Sequence, residues 1–213
     1  EDKTTYNNGK EDGLSECYYE NGQLEIKTTY KKGKEEGLSE YYYENGQLEM
    51  KGNYKDGEKD GLWEWYFKNG QLEDKTIYKK GKQDGLREWY HKKGNLVGST
   101  NYKDGNRHGL CKKFYKNGQL EIKTKYKNGK EDGIWEYFNQ DGSLKKTETW
   151  KEGKRHGCWM TYNYNGHLKE RTYYKNNKKN GLWEYFNEDG SLEKTETWKN
   201  DYLVANSSNE LLF

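Results

Sequence analysis

The sequence predicts an all-β chain, an elongated array of antiparallel β-hairpin repeats laid out as a single-sheet, solenoid-like meander, and three observations predict it. An aromatic residue recurs every 24 residues without insertion, at Tyr6, Tyr30, Tyr54, Tyr78, Tyr102, Tyr126, Trp150, Tyr174 and Trp198. Glycine fills two further positions in every repeat, seven and sixteen residues after that aromatic. Finally, the chain has no proline and is 35% charged, yet it is 16% aromatic. A disordered chain is poor in aromatics, so rings set at a fixed interval indicate a stacked repeat instead.

The elements follow in order from the aromatic, taken as position 0. A tight turn comes first, as in Lys103-Asp104-Gly105 and Lys127-Asn128-Gly129, where Asp or Asn before Gly supplies the positive φ of a short hairpin. Glycine at position 7 (Gly13, Gly37, Gly61, Gly85, Gly109, Gly133, Gly157, Gly181) then lies in or beside a strand, which predicts a bulge or a ring resting on bare backbone. The run Leu62-Trp63-Glu64-Trp65-Tyr66-Phe67 has the aromatic content of a strand. A second turn follows at Lys68-Asn69-Gly70, and Gln71-Leu72-Glu73 begins the return strand to Tyr78. The turn glycines at position 16 are Gly22, Gly46, Gly70, Gly94, Gly118, Gly142, Gly166 and Gly190. With position 3, which is Gly except at Asn177, these places account for every glycine but Gly52 and Gly98.

Two registers compete. Position 12 is always Tyr or Phe and position 18 always Leu, and residues that regular are expected to share a buried face. A three-residue turn with a left-handed glycine makes them direct neighbours, as Tyr66 with Leu72. A two-residue turn would instead pair Glu16 with Lys27, Glu40 with Lys51 and Glu64 with Lys75, placing Tyr and Leu on opposite faces. The first is preferred.

The repeats divide the chain into residues 1–5, a remnant of an upstream unit; eight repeats at 6–29, 30–53, 54–77, 78–101, 102–125, 126–149, 150–173 and 174–197; and a cap or tail at 198–213, ending in Leu211-Leu212-Phe213. Glu1-Asp2-Lys3-Thr4 repeats Glu73-Asp74-Lys75-Thr76, so the chain starts within a repeat, and upstream sequence, either a signal or more repeats, is expected to be missing. Two strands per repeat advance about 10 Å, or roughly 75 Å over the array before twist shortens it.

Composition limits the function. Lys and Arg number 38 against 36 Asp and Glu, interspersed along the chain, which argues against nucleic acid and leaves phospholipid without an evident basic patch. Cys17, Cys111 and Cys158 are too far apart in sequence to suggest a disulfide framework or a zinc site. No apolar run reaches the roughly 18 residues of a membrane span, and the compartment stays open.

Catalysis has little to stand on. His108 and His156 share a repeat position about 20 Å apart, too far for one metal, and His91 and His167 occupy other positions. Glu16, Glu40, Glu64, Glu88, Glu136 and Glu184 recur at position 10, and their expected partners are tyrosine hydroxyls and lysines. No nucleophile motif or phosphate-cradling loop is present, so the chain reads as a non-enzyme without cofactor or metal. More informative are positions 9, 11 and 13, opposite the regular Tyr and Leu: Tyr41, Tyr43, Trp63, Trp65, Phe67, Trp89, Trp135, Tyr137, Trp159, Trp183 and Tyr185. These rings either shield the second side of a one-layer sheet or form a face that a partner binds.

The pattern Tyr-x-x-Gly-x-x-x-Gly-Leu-x-Glu-x-Tyr followed by Asn-Gly-x-Leu, with Gly105-Asn106-Arg107-His108-Gly109 and Gly153-Lys154-Arg155-His156-Gly157, resembles the MORN (membrane occupation and recognition nexus) repeat-variant family, including bacterial YwqK-type proteins labelled antitoxins. The resemblance covers residues 1 to about 200, and departures such as Asn177, Lys112 and Met160 mark local changes of shape. It implies a non-catalytic protein-recognition scaffold, an antitoxin or immunity-type binder of a partner protein, with phospholipid binding, proposed for some eukaryotic members, as a second alternative. Cell-wall carbohydrate is the alternative ligand, because choline- and glucan-binding repeats are also short aromatic hairpins. Self-association through an uncapped amino-terminal strand edge is a further expectation.

Overall fold

In the computed structural model the described residues are 2–208; Glu1 and the Leu211–Phe213 end of the expected tail lie outside them. The described residues form 22 strands, and the chain divides into two compact units, Glu1–Asn106 and Arg107–Phe213, within each of which the strands pair antiparallel along the sequence. The stretch expected as a cap contributes the strand Tyr202–Ser208, paired with Leu192–Lys199.

Two turn types alternate in both units. The first joins strands such as Leu72–Lys79 and Lys82–Tyr90 through two residues of positive φ, Lys80 at 49° and Gly81 at 72°. This is the mirror-image turn whose twist matches that of the flanking strands. Asp56, Asp104 and Asn128 take the first place as expected, but Lys32, Lys80 and Glu152 take it too, so the frame imposes the conformation on residues with no preference for it. The second turn has three residues: Gly70 at φ 80° donates its N–H to Phe67 O at 2.8 Å, and Phe67 N–H donates to Gln71 O at 2.8 Å.

Both competing registers occur in the same hairpin. Tyr66 opposes Leu72 next to the turn, and one residue further in a bulge shifts the ladder so that Trp65 opposes Asp74 and Glu64 opposes Lys75. The bulge absorbs Glu73, so the Tyr–Leu and Glu–Lys pairs share one face, and the choice between them was unnecessary.

A second irregularity sits at the position-7 glycine. Asn53 opposes Asp60, yet Gly52 opposes Trp63, so Gly61 and Leu62 are skipped on that side while pairing with Tyr78 and Ile77 on the other. This is the expected bulge, with Gly61 at φ 83°. It projects Leu62 outward, and the Asn53 carbonyl accepts from the Trp63 indole N–H at 3.1 Å. Trp159 and Trp183 do the same for Thr149 and Tyr173, both at 3.0 Å.

Burial falls on the face opposite the one predicted. The position-12 aromatics and most position-18 leucines are only half-buried, whereas Trp63, Trp183, Ser39, Thr76, Thr100 and Thr172 are buried. A single layer of strands covers each face with its own side chains. The variable positions 9 and 22, which meet across the strands, build the better covered face.

Candidate functional site

The predicted aromatic face is assembled from several strands of each unit. In residues 107–208 the rings of positions 0 and 9 alternate in one stack: Tyr126, Trp135, Trp150, Trp159, Tyr174, Trp183 and Trp198, with successive centroids 5.2–5.7 Å apart. Those separations and tilts suit the aromatic quadrupole. Position 5 sends cations over the stack: Arg155 over Trp159 and Tyr174, and Lys179 at 4.3 Å from Trp183 and 4.0 Å from Trp198. In residues 2–106 the rings form one cluster, Tyr54, Trp63, Trp65 and Tyr78, capped by Lys59 at 4.0 Å from Trp63. Burial there lowers the Lys59 ammonium pKa, against the pull of Glu35.

Each predicted ring has a definite place. Trp63 has 0% of its surface exposed and Trp183 5%; the other nine are half-buried. Trp65 leans on Trp63 at 5.9 Å, Trp89 lies under Arg87 and opposes Gly98, and Phe67 flanks the three-residue turn. The Tyr43 hydroxyl donates to Tyr66 O of the next repeat at 2.7 Å, fastening neighbouring hairpins. Tyr137 and Tyr185 donate to Glu148 and Glu196 at 3.0 and 3.1 Å, under Lys146 and Lys194. Burial first, then hydrogen bonding, pushes the phenols of Tyr41 and Tyr185 well above the usual range, and burial with the Glu148 charge does so for Tyr137. A fully covered ring such as Trp63 presents no surface to a ligand.

The opposite face carries what is exposed. Its ion-pair row includes Lys51–Glu64 at 3.1 Å, Lys123–Glu136 at 2.7 Å and Arg171–Glu184 at 3.0 Å. Tyr18, Tyr66 and Tyr90 also donate to Glu16, Glu64 and Glu88, so these glutamates meet both of their expected partners. Beside this row run the aliphatic side chains pushed out at the bulge: Leu14, Leu38, Leu62 and Leu86 in one unit, 37–48% exposed, and Leu110, Ile134 and Leu182 in the other, 43–58% exposed. Sequence reading missed this row. Its signal was present, because an aliphatic residue follows the position-7 glycine in seven repeats and Cys158 in the other.

The edge of two-residue turns corrects the expectation that charge is too interspersed for a basic patch. Positions 1 and 4 oppose one another across that turn, so Lys127 faces Lys130, Lys151 faces Lys154 and Lys175 faces Lys178. Charges that alternate along the chain are thus sorted by the fold into a lysine strip.

Among the described residues no three His, Cys, Asp or Glu side chains are grouped to hold a metal, and the three cysteines are free. His108 Nδ1 lies 3.2 Å from Asn128 Oδ1, and His156 Nδ1 is buried without a partner. Among the described residues no helix is long and apolar enough to cross a membrane.

Antiparallel hairpins alternating a two-residue and a three-residue turn, with a bulge after each glycine, define a β-hairpin repeat protein. The model of the MORN repeat variant matches residues 11–32, 35–56, 59–80, 83–104, 107–128, 131–152, 155–176 and 179–200, and the chain belongs to that family. No curated protein matches it. Among solved structures it is similar to the crystal structure of TcdB2-TccC3-Cdc42, at 14% identity over 97% of this chain and 15% of that one, with a TM-score of 0.24. The chain therefore spans only about 15% of that structure's length. It is also similar to a porin-like protein from Bacteroides uniformis ATCC 8492, at 10% identity over 92% and 87% of the two chains, with a TM-score of 0.20.

Proposed function

We propose that the chain is a non-catalytic recognition scaffold whose ligand is a partner protein, of the immunity type suggested by the antitoxin-labelled bacterial proteins it resembles. The observation that carries this reading is the row of exposed aliphatic side chains at Leu14, Leu38, Leu62 and Leu86, all presented by the same bulge. An aliphatic stripe bordered by charged pairs has the apolar centre and polar rim of a protein contact. Carbohydrate recognition would call instead for open ring faces, and none of the rings predicted for that role is more than partly exposed.

The test compares the tagged chain with a Leu38→Lys/Leu62→Lys/Leu86→Lys variant in capture from lysate and culture fluid of the source cells, with mass spectrometry of what is retained. One stoichiometric protein, lost from the variant while its circular dichroism is unchanged, is the expected result. Retention of wall or membrane material alone would move the function to glycan or phospholipid binding.

A further inference from the structure

We propose that the lysine strip of residues 127–178 docks an acidic segment of the partner protein, one with a carboxylate at every third residue. This rests on the reading that the ligand is a protein, and it gives that protein a chemistry.

The strip consists of three successive like-charge pairs, Lys127 with Lys130, Lys151 with Lys154 and Lys175 with Lys178. Cross-strand neighbours stand with Cβ atoms about 5 Å apart, and like charges there destabilise a sheet. All six side chains are exposed, and none takes part in an ion pair among the described residues. Elsewhere in the same unit Lys112 also opposes Lys123, but there Lys123 reaches Glu136 across its other side, as Arg171 reaches Glu184. The strip therefore stores repulsion that a bound polyanion would relieve.

Spacing selects the polyanion. Successive pairs are one hairpin apart, two strands or about 10 Å, and a chain in the polyproline II conformation, rising about 3.1 Å per residue with three residues per turn, covers that distance in three residues and keeps every third side chain on one side. A cleft of about 300 Å³ opens between the first two pairs, lined by Lys127, Asn128, Lys130, Asp132, Lys151 and Glu152. Asp132 and Glu152 would oppose the continuous phosphates of a bilayer or a nucleic acid, whereas a peptide can set its acids over the lysines and spare those two positions. Thr149 lies two residues before Lys151 on the same face and opposes Ile134, which is 58% exposed, so an apolar residue beside the acid docked at Lys151 also finds a contact. In residues 2–106 the equivalent edge is interrupted, because Lys55 opposes Glu58.

The test is fluorescence anisotropy of the full chain with two labelled peptides of equal composition, one with Glu at every third residue and one with its glutamates clustered. The periodic peptide is expected to bind more tightly, weakening as salt rises, and Lys127→Glu/Lys151→Glu/Lys175→Glu to lower its affinity roughly tenfold or more. The thermal midpoint of that variant should hold or rise, since each substitution converts a like pair into an opposite pair, which separates lost binding from lost folding. Lys55→Glu, in the other unit, should leave the affinity unchanged. Equal binding of the two peptides, or an undiminished affinity in the triple variant, overturns the proposal. So does tighter binding of phosphatidylserine vesicles or an oligonucleotide that the triple variant loses. If the peptides fail while the leucine variant still loses a captured protein, the scaffold reading stands and the acidic segment falls.

Discussion

In residues 107–208 the position nine residues after the repeat aromatic holds Cys111 and then Trp135, Trp159 and Trp183, the three rings within one continuous stack, whereas in residues 2–106 it holds Ser15, Ser39, Trp63 and Arg87. Each of these four meets its own partner on the facing strand. Ser15 bonds Thr4 at 2.9 Å, and Ser39 bonds Thr28. Trp63 lies on Gly52, where a Cβ would come within 2.2 Å of the indole, and Arg87 holds the buried Asp74 at 2.7 Å. The backbone frame is the same in both units, so what must agree is the cross-strand pair and not the residue. Volume and polarity are balanced over two strands at a time.

The hardest break is at Gly52. Threonine, which other repeats carry there, should destabilise the chain by about 3 kcal/mol because the ring has no room to retreat. Trp63→Ser alone should cost a similar amount, about 3 kcal/mol, through the cavity it leaves. The double change Gly52→Thr/Trp63→Ser recreates the Thr28–Ser39 arrangement, and urea unfolding should place it within about 1 kcal/mol of the parent. Additive losses would mean that the pair is not the unit of packing.

Arg87→Met tests the ionic solution. Among the described residues it leaves Asp74, 9% exposed, with the Thr76 hydroxyl at 2.7 Å as its side-chain partner. Arg87 keeps 39% of its side chain in solvent, so the loss should fall below that of a fully buried pair, at about 2 kcal/mol by urea unfolding. Adding Asp74→Ile, the residue type Ile26 and Ile122 supply at that place, should recover most of it. A single variant as stable as the parent would show that Arg87 contributes little.

The same comparison explains what could be read in advance. The repeat frame was legible because tight turns and bulges need positive φ, and glycine marks those places every 24 residues. Regularity was a poor guide to burial. The constant Tyr66 and Leu72 are half-buried at the turn, while the variable position 9 carries the buried Trp63 and Ser39, because pairwise complementarity lets each residue vary if its partner varies with it. Gly52 and Gly98, which fit no turn, oppose Trp63 and Trp89, and Gly52 makes room for the Trp63 ring. The lysine strip escaped notice because hairpin topology brings together residues such as Lys151 and Lys154 whose charges alternate with acids along the chain. The aliphatic row escaped for a related reason: the bulge that turns Leu62 outward is recorded in the sequence only as the glycine before it.

Tyr43 marks a third kind of coupling, between hairpins and not across one. Its hydroxyl donates to Tyr66 O, as Tyr19 does to Tyr42 O and Tyr115 to Phe138 O. Tyr43→Phe removes one hydrogen bond with little change of shape, for an expected loss of about 1 kcal/mol. Hydrogen exchange should report it at the Leu62–Phe67 amides ahead of the rest of the unit. Uniform loss of protection would place the effect in the frame as a whole.

The smallest effect is expected on the opposite face, where ion pairs recur in both units. Glu64 accepts from Lys51 at 3.1 Å and from Tyr66 at 3.0 Å, and its carboxylate holds the Lys51 ammonium above the usual lysine range. A cation whose pKa is raised by folding lends stability that is complete below the unfolded value, near pH 10, and is lost as pH climbs through the folded one. Lys51 is 39% exposed, so screening should reduce the pair to about 0.5 kcal/mol, and Glu64→Gln should lose that amount at neutral pH. The difference between parent and variant should shrink above about pH 10 and also in high salt, because both remove the same attraction. Urea midpoints of the two proteins, measured along the pH series, decide it. A difference that survives both would come from the Tyr66 hydrogen bond and not from charge, and the ion-pair row would then share the local, pairwise logic of the ring face.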